Sequence, residues 1–341
     1  MRPVHIAGFA QLPHVVRDTS HDEAEMVQAV TAMALDDASM GRKDIGFTCS
    51  GSNDYVMGRP FSFVLALDGI APWPPIRESH VEMDGAWALY EAVIRLQHGD
   101  VDTALVYAYG KASVGDLEAI NALQLDPYYV YPLGIGPTAL AALQARSLLN
   151  TGRYTERDLA AVVSRNLEAA QHNPNALPVE VASVETLLAR PQTAPPLRAH
   201  DRAAEADGAA CIVLKVGEGG PRIQGMDHRI EAHALGCRDL TRSQATQIAA
   251  RQLNLDGIEV AELHTPYSHQ ELILREALEL DDACVINPSG GSFGADAPMV
   301  SGLVRIGEAA NAIRRGARRA LAHATQGPCL QQNLITVLEA P

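Results

Sequence analysis

The chain alternates between short apolar runs and longer segments in which apolar residues recur every three or four positions. Short runs are typical of buried strands, and the longer periodic segments are typical of amphipathic helices. In the first part of the chain, strands are predicted at residues 4–9, 45–49, 102–109 and 209–216. Helices are predicted between them at residues 20–39, 85–99, 140–150 and 155–171.

A glycine-rich segment, residues 217–220, is predicted to be a linker, and the alternation then begins again. Further strands are predicted at residues 229–234, 259–264, 283–287, 319–324 and 334–339, with helices at 242–253, 270–278 and 300–315. Alternating strands and helices are typical of βαβ units with largely parallel sheets. Two rounds predict an α/β protein of two similar halves, residues 1–217 and 218–341, with a loop excursion at about residues 110–200 of the first half.

Composition narrows the class of protein. With 341 residues, 47% of them hydrophobic, the chain can bury a large core. Its formal net charge of −14 argues against nonspecific nucleic-acid binding, which needs clustered Lys and Arg. The five cysteines form no CxxC pair, so no metal site is predicted, and their odd number indicates a reducing, cytoplasmic environment. No apolar run approaches the roughly 20 residues of a membrane span.

Two segments place polar side chains where a strand ends or a helix begins. In VEMDGAW, Glu82 and Asp84 precede a helix, whose positive dipole end suits an anion or an activated nucleophile. The same dipole also favours ordinary carboxylates there. In ELHTPYSHQEL, His264 and Tyr267 follow a strand and could transfer protons or stabilise an oxyanion, although His264 could equally be a structural loop histidine.

Two further segments carry weaker signals. In NPSGGSFGADAP, the backbone around Ser289, Gly290 and Gly291 could approach a ligand closely and present N–H groups to it. It does not match the dinucleotide-binding fingerprint. Cys329 lies in a Gly-Pro turn before the last strand, where a lone cysteine can be a nucleophile or an inert small residue.

In order and spacing, these segments resemble the thiolase superfamily, in particular the sterol-carrier-protein-X-type thiolases and the bacterial thiolase-like lipid-transfer proteins. The resemblance covers essentially the whole chain, and its pieces include RESHVEMDGAWALYEAVIRLQHGDVDTALVYAYGK, LRAHDRAAEADGAACIVL, ELHTPYSHQEL and NPSGGSFGADAP. It implies a five-layer αβαβα fold of two pseudo-duplicated halves, normally a homodimer. It also implies an acyl-CoA substrate bound at the junction of the halves, with no other cofactor.

The resemblance fails at the residues that thiolysis needs. In the family, a cysteine at a helix start accepts the acyl group, and a histidine activates this cysteine. A second histidine helps to form the oxyanion hole, and a C-terminal cysteine can act as an acid or base. Alignment of the motifs places Glu82 at the nucleophile position and Ala297 at that of the activating histidine. His264 matches the second histidine, Tyr267 takes the aromatic position after it, and Cys329 matches the C-terminal cysteine. Because a thiolate is required to form the thioester, no conventional thiolase turnover is expected.

Two functions are compatible with these losses. Some thiolase-like relatives are retro-aldolases that release a steroid side chain or similar fragment from a β-hydroxyacyl-CoA. Here His264, Tyr267 and Glu82 would share the base and donor roles, with backbone N–H groups near Gly290 and Gly291 as further donors. The alternative is a non-catalytic acyl-CoA-binding subunit that assembles with a small OB-fold protein carrying a zinc ribbon.

Overall fold

The structure of the protein, a computed structural model, describes residues 2–72 and 77–341. The strands in this part of the chain are β1 (Val4–Gln11), β2 (Phe47–Gly51), β3 (Glu78–Val81), β4 (Thr103–Lys111), β5 (Gln192–Ala194), β6 (Leu197–Arg198), β7 (Asp207–Val216), β8 (Arg222–Ile230), β9 (Val260–Leu263), β10 (Val285–Ile286), β11 (Arg319–Gln326) and β12 (Gln332–Glu339). The helices are α1 (Glu23–Asp37), α2 (Asp54–Met57), α3 (Ser62–Ile70), α4 (Gly85–His98), α5 (Leu117–Leu123), α6 (Pro137–Asn150), α7 (Glu156–Ala170), α8 (Val184–Leu188), α9 (Gln244–Gln252), α10 (Ser268–Ala277), α11 (Gly291–Gly294) and α12 (Ser301–Arg314).

Ten strands form one mixed sheet in the order β10-β9-β11-β12-β8-β1-β7-β4-β2-β3. Each half of the sheet repeats one topology. In the first, β3, β2 and β4 are parallel neighbours, and β7 runs antiparallel to β4 and β1. In the second, β10, β9 and β11 are parallel neighbours, and β12 runs antiparallel to β11 and β8. The halves meet at one residue pair, His5 and Arg222. The boundary between residues 217 and 218 falls in the turn between β7 and β8, and the division into domains there stays a prediction.

Three apolar clusters define five layers. The central cluster packs α4 and α12 between the two halves of the sheet. A second cluster packs α1 and α3 against the outer face of the first half. The third packs α6, α7, α9 and α10 against the outer face of the second half. The predicted five-layer αβαβα fold is confirmed. Since α6 and α7 precede residue 217, the loop excursion crosses over to cover the second half.

Several elements differ from the prediction because their side chains are only partly buried. The strand predicted at residues 229–234 is instead β8 (Arg222–Ile230), whose mostly polar side chains are half-buried and form no apolar run. The edge strand β3 was not predicted, since its positions alternate between exposed and half-buried. Within the predicted loop excursion, the proline-rich residues 173–198 contain α8 and the small hairpin β5–β6. The pattern of apolar residues therefore identifies buried strands better than edge strands.

Candidate active site

A cavity of about 230 Å³ lies where the chain leaves β9 and β11 and enters the central helices α4 and α12. Segments from both halves line it, and α5 and α6 form another part of its wall. Its ionisable lining side chains include Asp84, Glu205, His264, Tyr267, Asp296 and Cys329. Three of these, His264, Tyr267 and Cys329, were predicted as site residues from the sequence. The other three were not.

His264 and Asp296 form a hydrogen-bonded pair in this cavity. His264 directly follows β9, and its Nε2 lies 3.1 Å from Asp296 Oδ1. The Thr325 backbone N–H donates to His264 Nδ1 at 3.4 Å, an arrangement that places the proton of a neutral imidazole on Nε2. Burial alone would raise the pKa of Asp296, but the hydrogen bond from His264 and the nearby positive charges outweigh it and lower this pKa. Asp296 is therefore a carboxylate that orients the imidazole.

Tyr267 places a protonated phenol in the same cavity. It immediately precedes α10, and its backbone N–H donates to Gln270 Oε1 at 3.2 Å. Its hydroxyl lies 3.1 Å from Thr138 Oγ1 on α6. The side chain is buried, and burial raises the pKa of the phenol. At neutral pH Tyr267 therefore keeps its proton.

Cys329 lines the cavity, but it has the properties of an unactivated thiol. Its Sγ lies 3.5 Å from the carbonyl oxygen of Leu140, to which it donates. Burial raises the pKa of this thiol to about 11. Since the thiolate is the nucleophilic form, Cys329 is poorly suited to covalent capture of an acyl group at neutral pH.

A second polar group on the cavity wall was missed by the sequence analysis. Arg202 Nη1 lies 3.3 Å from Glu118 Oε2, and the same guanidinium pairs with Glu205. Burial raises the pKa of Glu205, while Arg202 opposes that shift. Glu118 also accepts hydrogen bonds from Thr138. These residues are distant in the sequence and carry no motif, so only the folding of the loop excursion brings them together.

Comparison with curated proteins finds relatives over most of the chain, although no protein-family model matches it. The BbsB subunit of benzoylsuccinyl-CoA thiolase from Thauera aromatica is 24% identical, over 97% of this chain and 97% of that protein. Acetyl-CoA acetyltransferase from Methanothermobacter thermautotrophicus is 26% identical, over 92% and 90%. The 17-hydroxy-3-oxo-4-pregnene-20-carboxyl-CoA lyase of Mycobacterium tuberculosis is 24% identical, over 71% and 64%.

Solved structures share the fold along the whole chain. An Ltp2-ChsH2(DUF35) aldolase superposes with a TM-score of 0.79 at 18% identity, covering 99% of this chain and 98% of that one. The chain therefore has a thiolase-like fold. A monomeric SCP2-thiolase-like protein type 1 from Mycobacterium smegmatis gives a TM-score of 0.77 at 17% identity, over 99% of this chain and 77% of that one. The thiolase-like resemblance noted in the sequence is confirmed.

In this thiolase fold, Asp84 rather than Glu82 occupies the helix start that faces the cavity. Helix α4 begins at Gly85 with Asp84 as its N-cap, so Glu82 lies two residues before the cap. The Glu82 side chain is exposed, accepts a hydrogen bond from the Asp54 N–H at 2.5 Å and lies 3.5 Å from His80 Nε2. Asp84 lines the cavity, whereas Glu82 does not. The structure therefore corrects the placement of the carboxylate.

The Asp84 carboxylate joins the two central helices of the thiolase fold. Its Oδ1 accepts the N–H groups of Ala86 at 2.8 Å and Leu303 at 3.1 Å, and its Oδ2 accepts that of Gly302 at 2.9 Å. Burial raises the pKa of Asp84, while His264 and the three N–H donors act in the opposite direction. Asp84 thus supplies acceptors for backbone N–H groups at the N-terminal ends of both α4 and α12.

The glycine-rich loop of the thiolase fold lies outside the cavity lining. Gly290 has φ +96°, and a Cβ there would meet Ala170 at 2.6 Å, so the loop is shaped for packing on α7. The Gly290 N–H donates to Asn287 O at 2.9 Å and the Gly291 N–H to Ser289 Oγ at 3.3 Å. Ser289 Oγ in turn bonds the buried side chain of Glu262. These predicted ligand donors are already used within the protein.

Metal clusters and membrane-spanning helices are both absent from the described residues. Across residues 2–72 and 77–341, no three His, Cys, Asp or Glu side chains are grouped so that they could hold a metal ion. Over the same ranges, no helix is both long enough and apolar enough to cross a membrane.

Proposed function

We propose that this protein binds a β-hydroxyacyl-CoA and cleaves its Cα–Cβ bond by a retro-aldol step, without an acyl-enzyme. One observation carries the proposal: the cavity combines the His264–Asp296 pair and the Tyr267 phenol with a protonated thiol at Cys329. Acid–base groups without a thiolate suit carbon–carbon cleavage better than thiolysis. Relatives named as an aldolase and as a lyase of a hydroxylated CoA thioester support the same reaction class.

The reaction needs a proton acceptor and an oxyanion donor. The Tyr267 oxygen accepts the proton of the β-hydroxyl while the phenol gives up its own proton through its hydrogen bond to Thr138, and the O–H electrons form the C=O bond at Cβ. The Cα–Cβ bond breaks, and its electron pair passes to the thioester as an enolate. In the substrate complex His264 Nε2–H turns from Asp296 to the enolate oxygen, and protonation at Cα from solvent completes the products. A steroid side-chain CoA thioester is the first substrate to test, because it corresponds to the name of the lyase relative.

The second candidate is a non-catalytic acyl-CoA-binding subunit of a complex with an OB-fold, zinc-ribbon partner. The aldolase of similar fold is named for two proteins, Ltp2 and ChsH2(DUF35), which favours a complex. A homodimer is also proposed: β3 pairs only with β2 among the described residues, and such an edge can pair with a second chain. Since the Mycobacterium smegmatis protein of similar fold is described as monomeric, the oligomeric state needs its own measurement by light scattering.

The test is cleavage of a β-hydroxyacyl-CoA, followed by mass spectrometry of both products, with the chain alone and with its co-purified partner. We expect His264→Asn and Tyr267→Phe each to lower kcat by about 100-fold, the usual contribution of one acid–base group. The matched controls His98→Asn and Tyr128→Phe change exposed side chains and should leave kcat unchanged.

Three outcomes separate the candidates. Unchanged cleavage by His264→Asn and Tyr267→Phe would remove the proposed mechanism. Tight CoA binding without cleavage, by the chain and by the complex, would favour the non-catalytic subunit. CoA-dependent thiolysis of a 3-ketoacyl-CoA by the pure protein would show that covalent capture occurs after all.

A further inference from the structure

We infer that Tyr267, Thr138 and Glu118 form a relay that carries the substrate proton from the cavity to the protein surface. Tyr267 OH lies 3.1 Å from Thr138 Oγ1, and Thr138 Oγ1 lies 2.8 Å from Glu118 Oε2. Thr138 and Glu118 act through Tyr267 and are positioning residues rather than catalytic ones. The inference rests on the proposed retro-aldol function and adds the destination of the proton.

Hydrogen-bond chemistry fixes the direction of the relay. An ionised Glu118 only accepts, so the single Thr138 hydroxyl proton is donated to it. Thr138 Oγ1 must then accept from the Tyr267 hydroxyl. The lone pairs of the Tyr267 oxygen are thereby left for the cavity, where they can accept a proton from a substrate hydroxyl.

The relay allows the phenol to act without ionising. As the substrate proton binds the Tyr267 oxygen, the original phenol proton moves to Thr138 Oγ1, and the Thr138 proton moves to Glu118 Oε2. Each hydroxyl oxygen in the chain loses one O–H bond and gains one, and the net change is a protonated Glu118. This order of proton transfers agrees with the effect of burial, which raises the pKa of Tyr267 and disfavours a tyrosinate.

The ends of the relay differ in their access to solvent. Tyr267 is 8% exposed, whereas the Glu118 side chain is 36% exposed. A proton that reaches Glu118 can therefore pass to water. Arg202 Nη1, 3.3 Å from Glu118 Oε2, holds this carboxylate in place. Glu118 does not itself line the cavity, so the relay leads away from the cavity to a carboxylate that is open to solvent.

Glu118 also has a structural contact that any test must separate from the relay. Its Oε1 accepts the Thr138 N–H at 2.9 Å in the first turn of α6, whose N-cap, Gly136, offers no side chain. A Cβ at Gly136 would lie 2.3 Å from Glu118 Oε1, so glycine leaves room for this carboxylate. A cap alone would affect stability, whereas the relay also affects turnover.

Thr138→Val removes the hydroxyl and preserves the shape of the side chain. We expect kcat for β-hydroxyacyl-CoA cleavage to fall by at least about tenfold, with KM changed less than about twofold, because proton transfer and not binding is impaired. Thr138→Ser restores the hydroxyl and should keep kcat within about twofold of the wild type. Glu118→Gln keeps an acceptor for the α6 cap but no base, and it should lower kcat as Thr138→Val does.

The matched control is Thr155→Val. Thr155 donates to Asp158 Oδ2 at 2.8 Å at the start of α7, which is the same threonine–carboxylate contact away from the cavity. It should reduce stability without lowering kcat. If Thr138→Val retains full kcat, or if Thr138→Ser is as impaired as Thr138→Val, the relay is refuted.

A second measurement keeps the relay testable without turnover. Carbon-13 NMR of tyrosine Cζ, with Tyr267→Phe for assignment, follows the ionisation of this phenol as pH rises. Thr138 Oγ1 accepts the phenol proton, so Thr138→Val should change the Cζ chemical shift of Tyr267 and shift its transition, and Thr138→Ser should restore both. A shifted transition without cleavage activity would keep the Tyr267–Thr138 contact and reject the proposed function. Normal cleavage with an unshifted transition would reject the relay alone.

Discussion

The Asp84 carboxylate should be among the most sensitive positions in the protein. It is 2% exposed and accepts three backbone N–H groups at the start of α4 and α12. In Asp84→Asn the shape is kept, but an amide N–H₂ replaces one acceptor oxygen. If Oδ1 keeps Ala86 and Leu303, the new amide faces the Gly302 N–H, and two donors are left without acceptors.

The lost contacts set the size of the effect. Each buried donor left without an acceptor costs about 1–3 kcal/mol, so two such donors cost about 2–6 kcal/mol. Relief from burying a charge offsets part of this sum, so we expect the free energy of unfolding to fall by about 3 kcal/mol. The control, Asp22→Asn, changes an exposed N-cap that accepts the Glu25 N–H at 2.8 Å. It should change the free energy of unfolding by less than about 0.5 kcal/mol, because Asn caps helices nearly as well as Asp.

Urea unfolding followed by circular dichroism measures both variants under the same conditions. A free energy of unfolding for Asp84→Asn within about 0.5 kcal/mol of the wild type would refute the assignment of Asp84 as a buried acceptor for both central helices. Asp84→Ala extends the series, since it removes all three contacts and should destabilise more than Asp84→Asn.

Two further predictions concern buried titratable groups. Burial raises the pKa of Cys329 to about 11, so iodoacetamide at pH 7.5 should label the exposed Cys237 well before Cys329; peptide mass spectrometry showing rapid labelling of Cys329 would contradict this. Burial also lowers the pKa of His323 to about 3, below its unfolded value of about 6.5, so the folded state binds fewer protons and stability should fall as pH decreases from about 6.5 towards 3. His323→Gln, which keeps a donor for Asn333 Oδ1, should weaken the pH dependence of the urea midpoint between pH 7 and 4, and an unchanged dependence would refute this assignment.

The sequence anticipated part of the candidate site because some cavity residues directly follow buried strands. His264 comes immediately after β9, and Cys329 lies in the turn between β11 and β12, so apolar patterning was enough to place both near strand ends. Glu82 shows the limit of motif counting. The helix start is fixed by which carboxylate caps it, and Asp84 does so through contacts with residues more than 200 positions away.

Apolar periodicity by itself determined the α/β class and the repetition of one topology. The residues of each strand and helix themselves determine which of its faces is buried. Tertiary structure alone decided the chemistry of the cavity. Thr138 and Glu118 lie in the loop excursion and Tyr267 lies in the second half. Hydrogen bonds between these segments determine that the Tyr267 hydroxyl donates to Thr138. The pKa shifts of Asp296 and Cys329 likewise arise from burial and neighbours supplied by distant segments, which no local pattern of residues encodes.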